Sequence, residues 1–134
     1  MKEITVKALT ENLNEILSFI DGILEENDCS MKIQMQIDVA VEEIFVNIAN
    51  YAYGEETGEA VIQAGTDDEG FYVTFIDSGI PYNPLEKEDP DTTLGADERP
   101  IGGLGIYMVK KSMDKVEYEY KDGRNIFTIR KKLA

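Results

Sequence analysis

Val41-Glu42-Glu43-Ile44-Phe45-Val46-Asn47-Ile48-Ala49-Asn50-Tyr51-Ala52-Tyr53 sets acidic and amide side chains inside an otherwise apolar run. At about 100° per residue, Ile37, Val41, Ile44, Ile48 and Ala52 fall on one face, which predicts a helix packed on a core. Glu43, Asn47 and Asn50 stack as a column on another face. One carboxylate and two carboxamides offer oxygen atoms to a hard cation, and the carboxylate can take a proton from a hydroxyl. Taken alone, the same column is equally the solvated side of an amphipathic helix, the more ordinary arrangement. The flanking sequence decides between the two.

Upstream, Ser30 is placed to cap this helix, and Asn27-Asp28-Cys29-Ser30 separates it from an earlier one. In that earlier helix Leu13, Ile16, Leu17, Ile20, Ile23 and Leu24 recur at three and four, with Thr10 as the expected N-cap and an end near Glu26. Before it, Ile4, Val6 and Ala8 alternate with Glu3, Thr5 and Lys7 as in a half-buried strand. Downstream of a turn at Gly54 to Gly58, strands are predicted over 60–66 and 70–76, joined as a hairpin through Asp67-Asp68-Glu69-Gly70. All four prolines then fall between Pro81 and Pro100, in a segment too long for an ordinary connection and suited to a lid. Gly102-Gly103-Leu104-Gly105 opens a short helix over 106–113. Two strands, 115–120 and 125–130, close the chain around Asp122-Gly123, a type I′ turn signal. The order β-α-α-β-β-lid-α-β-β predicts an α+β fold: a two-layer sandwich with a mixed, mostly antiparallel sheet and helices on one face.

At 134 residues the chain has the size of a single domain, 1–134, with a core that needs no disulfide or structural metal. Its net charge of -14 disfavours nucleic acid as a direct partner and favours a basic protein surface. Cys29 is the lone cysteine, expected to be buried and structural in a reducing compartment. There is no histidine, which excludes Ser-His triads and His-ligated metals within the chain. The first twenty residues hold no long apolar block, so a cytoplasmic protein away from the membrane is expected.

Two further motifs frame the opening column. Asp77 ends an apolar strand, where its carboxylate can accept a hydrogen bond from an exocyclic amine, and Gly79 would let a flat ring lie against the backbone. Glycines just before a helix let a phosphate approach free N–H groups. Singly, each motif also reads as a plain turn. Together and in this order they resemble the Bergerat-fold (GHKL) ATPases over nearly the whole chain. Glu43 to Asn47 looks like the N box, Asp77-Ser78-Gly79-Ile80-Pro81-Tyr82-Asn83-Pro84 like the first glycine box, and Gly102 to Val109 like the second. Within that superfamily, Asp-x-Gly-x-Pro followed by an aromatic and Asn is similar to the anti-sigma factor serine/threonine kinases.

The resemblance implies roles for these residues. Asn47 would bind Mg²⁺ bridging the phosphates of ATP (or ADP), Asp77 would receive the adenine amine, and Gly79 would pack by the base. The turn Gly102, Gly103, Leu104 and Gly105 would give N–H groups to the phosphates. Glu43 would be the base that takes the proton of the attacking hydroxyl. Arg99, near the end of a lid spanning about 79–103, would reach the terminal phosphate. Asn50 either lines the site or faces solvent. The implied protein is an ATP-dependent anti-sigma factor and a homodimer. It would hold a sigma factor and phosphorylate a serine or threonine of a STAS-type anti-anti-sigma partner. The alternatives are a nucleotide-binding partner switch without kinase activity and an ATPase that transfers the phosphoryl group to water.

Overall fold

The structure, a computed structural model, describes residues 1–54, 56–86 and 104–133. In chain order these form β1 (Lys2–Lys7), α1 (Leu13–Glu26), α2 (Met31–Tyr51), β2 (Glu59–Asp67), β3 (Gly70–Asp77), α3 (Leu104–Ser112), β4 (Lys115–Lys121) and β5 (Arg124–Lys131). The strands make one sheet in the order β1-β2-β3-β5-β4. Each described pairing is antiparallel, so the mixed sheet expected from the sequence is antiparallel throughout the described residues.

Alternation along the strands divides the sheet into two faces. Val6, Ala60, Ile62, Ala64, Phe71, Val73, Phe75, Phe127 and Ile129 point inward and join the apolar stripes of the helices in one buried cluster. The helices therefore lie on one face, as the sequence predicts. The predicted α2 stripe of Ile37, Val41, Ile44, Ile48 and Ala52 is buried along its whole length. Phe45, Phe71 and Phe75 are fully buried, and burial of each stabilises the fold by about 1.5–3 kcal/mol. On the opposite face the Thr74 and Thr128 hydroxyls lie 3.0 Å apart, and Arg130 stacks over the Tyr72 ring.

Local chemistry sets the ends of the elements. The Ser30 hydroxyl accepts from the Ile33 N–H at 3.3 Å and caps α2. Asp122 and Gly123 both take positive φ, 55° and 77°, as a type I′ turn requires. The expected Thr10 cap is corrected: residues Thr10–Asn12 form a turn of 3₁₀ helix, and α1 starts at Leu13 with no side-chain cap. Asn12 instead donates from Nδ2 to the Lys7 carbonyl at 2.9 Å, tying the turn to the end of β1. Cys29 is half-buried, not fully buried, and its thiol lies 3.4 Å from the Ser30 carbonyl.

One pair of groups in the helical layer has no counterpart in the sequence reading. Asp21 of α1 and Asp38 of α2 approach each other, and each buries an Oδ1 atom that has no donor unless one of the two carboxyls carries a proton. Burial, then a hydrogen bond with Asp21 and its charge, pushes the Asp38 carboxyl up to about 8. The pair therefore shares a proton at neutral pH.

Candidate nucleotide site

A pocket opens between the second half of α2 and the ends of β3, β4 and β5. Its walls include Ile44, Ile48, Ile80 and Phe127, with the rings of Tyr51, Tyr82 and Tyr118 at its margin and Asn47, Asp77 and Asn125 as polar groups. Apolar walls with a few convergent polar atoms are what a small organic ligand needs.

Asp77 and Asn125 are the two buried polar residues among the described residues, 5% and 6% exposed. Their burial follows from parity: Asp77 continues the inward series Phe71, Val73, Phe75, and Asn125 begins the inward series Phe127, Ile129. The strand register sets them opposite each other. Asp77 Oδ1 accepts from Asn125 Nδ2 and from the Gly79 N–H, each at 2.9 Å. Oδ2 has no hydrogen-bond partner among the described residues, which leaves an acceptor at the pocket floor.

The expected column on α2 separates into three environments. Asn47 lines the pocket. Glu43, one turn earlier, is half-buried and turns toward α3, where a Cβ on Gly105 would overlap its carboxylate. Asn50 is exposed and is not among the residues lining the pocket. Gly79 sits against the end of α2. The space its side chain would need is filled by the Ala52 carbonyl, so the glycine serves close approach to the end of α2, a contact also held by the Ile80 N–H to Ala52 O bond of 2.8 Å.

Helix α3 begins at Leu104, two residues before the expected start, so the backbone of Leu104 and Gly105 lies in its first turn. The N–H groups of a first turn have no intrahelical partner and suit an anion. Arg99, Gly102 and Gly103, with most of the expected lid, lie outside the described residues.

Tyr53, two residues past the end of α2, ties together the backbone next to Asp77. Its hydroxyl donates to the Glu59 carbonyl at 2.6 Å and accepts from the Ser78 N–H at 2.8 Å, linking α2 to the start of β2 and the end of β3. Burial raises its phenol above the ordinary range, with the Ser78 hydrogen bond acting in the opposite direction.

The donor set fits Mg²⁺ brought in by a nucleotide better than a resident ion. No group of three or more His, Cys, Asp or Glu side chains among the described residues could hold a metal. Mg²⁺ commonly takes one or two protein oxygens with phosphate and water completing its shell, and the Asn47 amide can supply one. The residues missed by sequence reading are Asn125, Tyr118 and the aromatic margin. An Asn at an inward strand position, just after a turn, was the available signal for the first.

No helix among the described residues is long and apolar enough to cross a membrane. A family model described as "Histidine kinase-like ATPase domain" matches residues 6–131. A protein called "Serine-protein kinase RsbW" from Bacillus mycoides (strain KBAB4) is 23% identical over 128 residues, covering 92% of this chain and 80% of the relative. Its namesake from Bacillus cereus (strain AH187) is 27% identical over 92 residues, 66% of this chain and 58% of that one. The crystal structure of the RsbU and RsbW domains of Rv1364c from Mycobacterium tuberculosis superposes with a TM-score of 0.68 and 14% identity, over 99% of this chain and 33% of that one. That likeness concerns the fold. By the family match over nearly its whole length, the chain belongs to the histidine kinase-like ATPase domain family.

Proposed function

We propose that the chain is an ATP-dependent anti-sigma factor that sequesters a sigma factor and phosphorylates a serine or threonine of a STAS-type anti-anti-sigma protein. The observation that carries this reading is Asp77 at the floor of an apolar pocket that Asn47 also lines, its Oδ1 engaged and its Oδ2 without a hydrogen-bond partner among the described residues. A carboxylate oxygen there accepts a hydrogen bond from the exocyclic amine of adenine, while the apolar walls cover the ring. The phosphates then extend along α2 toward the first turn of α3. The relatives' name, serine-protein kinase, supports a protein hydroxyl as acceptor.

In the transfer the acceptor oxygen bonds to the γ-phosphorus, the bond to the β-phosphate oxygen breaks, and ADP leaves. Glu43 takes the hydroxyl proton. Asn47 would hold Mg²⁺, which when bound neutralises phosphate charge that a protein of net charge -14 cannot. The working unit in this reading is one domain, 1–134, with a lid over about 79–103, acting as a cytoplasmic homodimer.

The test combines binding with transfer. Mg-ATP at about 100 times its Kd should raise unfolding stability by about 2.7 kcal/mol. γ-Labelled ATP should label a STAS-domain partner. Glu43→Ala should abolish the label and keep the thermal shift, whereas Asn47→Ala should reduce the shift. The absence of any shift with Mg-ATP or Mg-ADP would sink the nucleotide reading.

One observation favours a nucleotide-binding switch without kinase activity. The Glu43 carboxylate rests against Gly105 in the first turn of α3, where an anion also complements the helix dipole and thereby holds α2 to α3. That switch predicts a stable ATP complex and no labelled partner. Phosphate release without any partner would instead identify an ATPase.

A further inference from the structure

Asn125 makes more contacts at the pocket than the base-binding carboxylate itself. Its Nδ2 donates to Asp77 Oδ1 and to the Ile80 carbonyl, each at 2.9 Å. Its Oδ1 accepts from the Tyr82 N–H at 3.1 Å and from the Tyr118 hydroxyl. Two acceptors on the nitrogen side and two donors on the oxygen side fix one orientation of the amide. Asp cannot replace it without setting a second carboxylate against Asp77, and an apolar residue leaves Asp77 and the 80–82 backbone short of partners.

We infer that Asn125 is the positioning residue for base selectivity: it occupies Asp77 Oδ1, turns Oδ2 toward the pocket, and pins Ile80 and Tyr82 beside the same ring. This rests on the nucleotide reading above and names what that site selects. With Oδ1 engaged twice, by Asn125 and by Gly79, the carboxylate presents one free acceptor in one direction. A purine carrying an amine at its six-position satisfies that acceptor, whereas one carrying a carbonyl there sets oxygen against oxygen. Ile80 and Tyr82 belong to the pocket lining, so the same amide also fixes the wall that packs beside the base.

The experiment compares ATP with inosine triphosphate, which differs in that six-position group. Binding of each, with Mg²⁺, is measured by titration calorimetry for the wild-type chain, Asn125→Leu and Asn125→Thr, with folding checked by circular dichroism. Wild type should prefer ATP at least about 100-fold, because a site built to pair a polar group strongly rejects an analogue that cannot pair. In Asn125→Leu that ratio should fall to within a few-fold of unity. Asn125→Thr keeps a hydroxyl donor next to Asp77 and should retain an intermediate ratio. A role confined to packing would lower both affinities by the same factor and leave the ratio intact, and that result in either folded variant overturns the inference. Equal binding of both nucleotides by the wild type overturns it too, with the nucleotide reading still standing. Binding of neither by the wild type removes the nucleotide reading and this inference with it.

Discussion

Glu43 and Gly105 meet between α2 and α3, the carboxylate of the first filling the space where any side chain of the second would begin. The obstructing atoms are the free end of a flexible side chain, so an added methyl group would be accommodated by Glu43 rotating away. Alanine is also about 1 kcal/mol better than glycine inside a helix. Gly105→Ala should therefore change unfolding stability by no more than about 1 kcal/mol, measured in urea. Phosphotransfer should nevertheless fall by about 10²-fold or more, the contribution of a positioned general base. In a Glu43→Ala background the substitution should be stabilising, because the clash is gone and the helix propensity remains. A Gly105→Ala protein with full transfer activity would show that the position of Glu43 does not matter.

Gly79→Ala is the contrasting case. There the obstruction is the Ala52 carbonyl and the backbone behind it, which cannot rotate aside without moving the end of α2. Overpacking of this kind costs about 1–3 kcal/mol, and the Ile80 to Ala52 hydrogen bond is strained with it. Urea unfolding should give a midpoint lowered accordingly, with nucleotide binding weakened through displacement of Ile80. If stability is unaffected, the close approach of residue 79 to α2 is not what the glycine is for.

These two glycines also show what a sequence can disclose. That each stands at a motif was legible, because glycine next to a strand end or a helix start has few other uses. What each glycine touches was not, since Ala52 and Glu43 lie far away in sequence and are brought in by packing. The α2 stripe was readable because the helical period puts Ile37 through Ala52 on one side whatever the rest of the fold does. Asp77 was readable as a strand-end carboxylate. Its partner Asn125 depends on the register between β3 and β5, strands that are not consecutive in the chain, and periodicity carries no information on register. The column of Glu43, Asn47 and Asn50 was legible as a column, but its division depends on where α3 and the strand ends sit around it.

Asp21 and Asp38 were hidden for a related reason: each belongs to a separate helix, and their meeting is set by the angle at which α1 and α2 pack. Asp21 lies one turn from Leu17 and Leu24, at the border of the α1 stripe, and the nearby Cys29 thiol is raised by burial and by the charge of Asp38. The folded-state Asp38 carboxyl lies near 8, against about 3.9 in an unfolded chain. Between those values the native state binds the extra proton, so stability from this pair is fully present below about pH 4 and is lost as pH rises through 8. Asp38→Asn keeps the shape, supplies a permanent donor to Asp21 and removes the titration. The stability of the variant relative to wild type should therefore grow from pH 4 to pH 8 and level off above it, as read from urea midpoints at pH 5, 7 and 9. A difference that stays constant across that series would mean that Asp38 is ionised in the folded protein, in which case the two carboxylates do not share a proton.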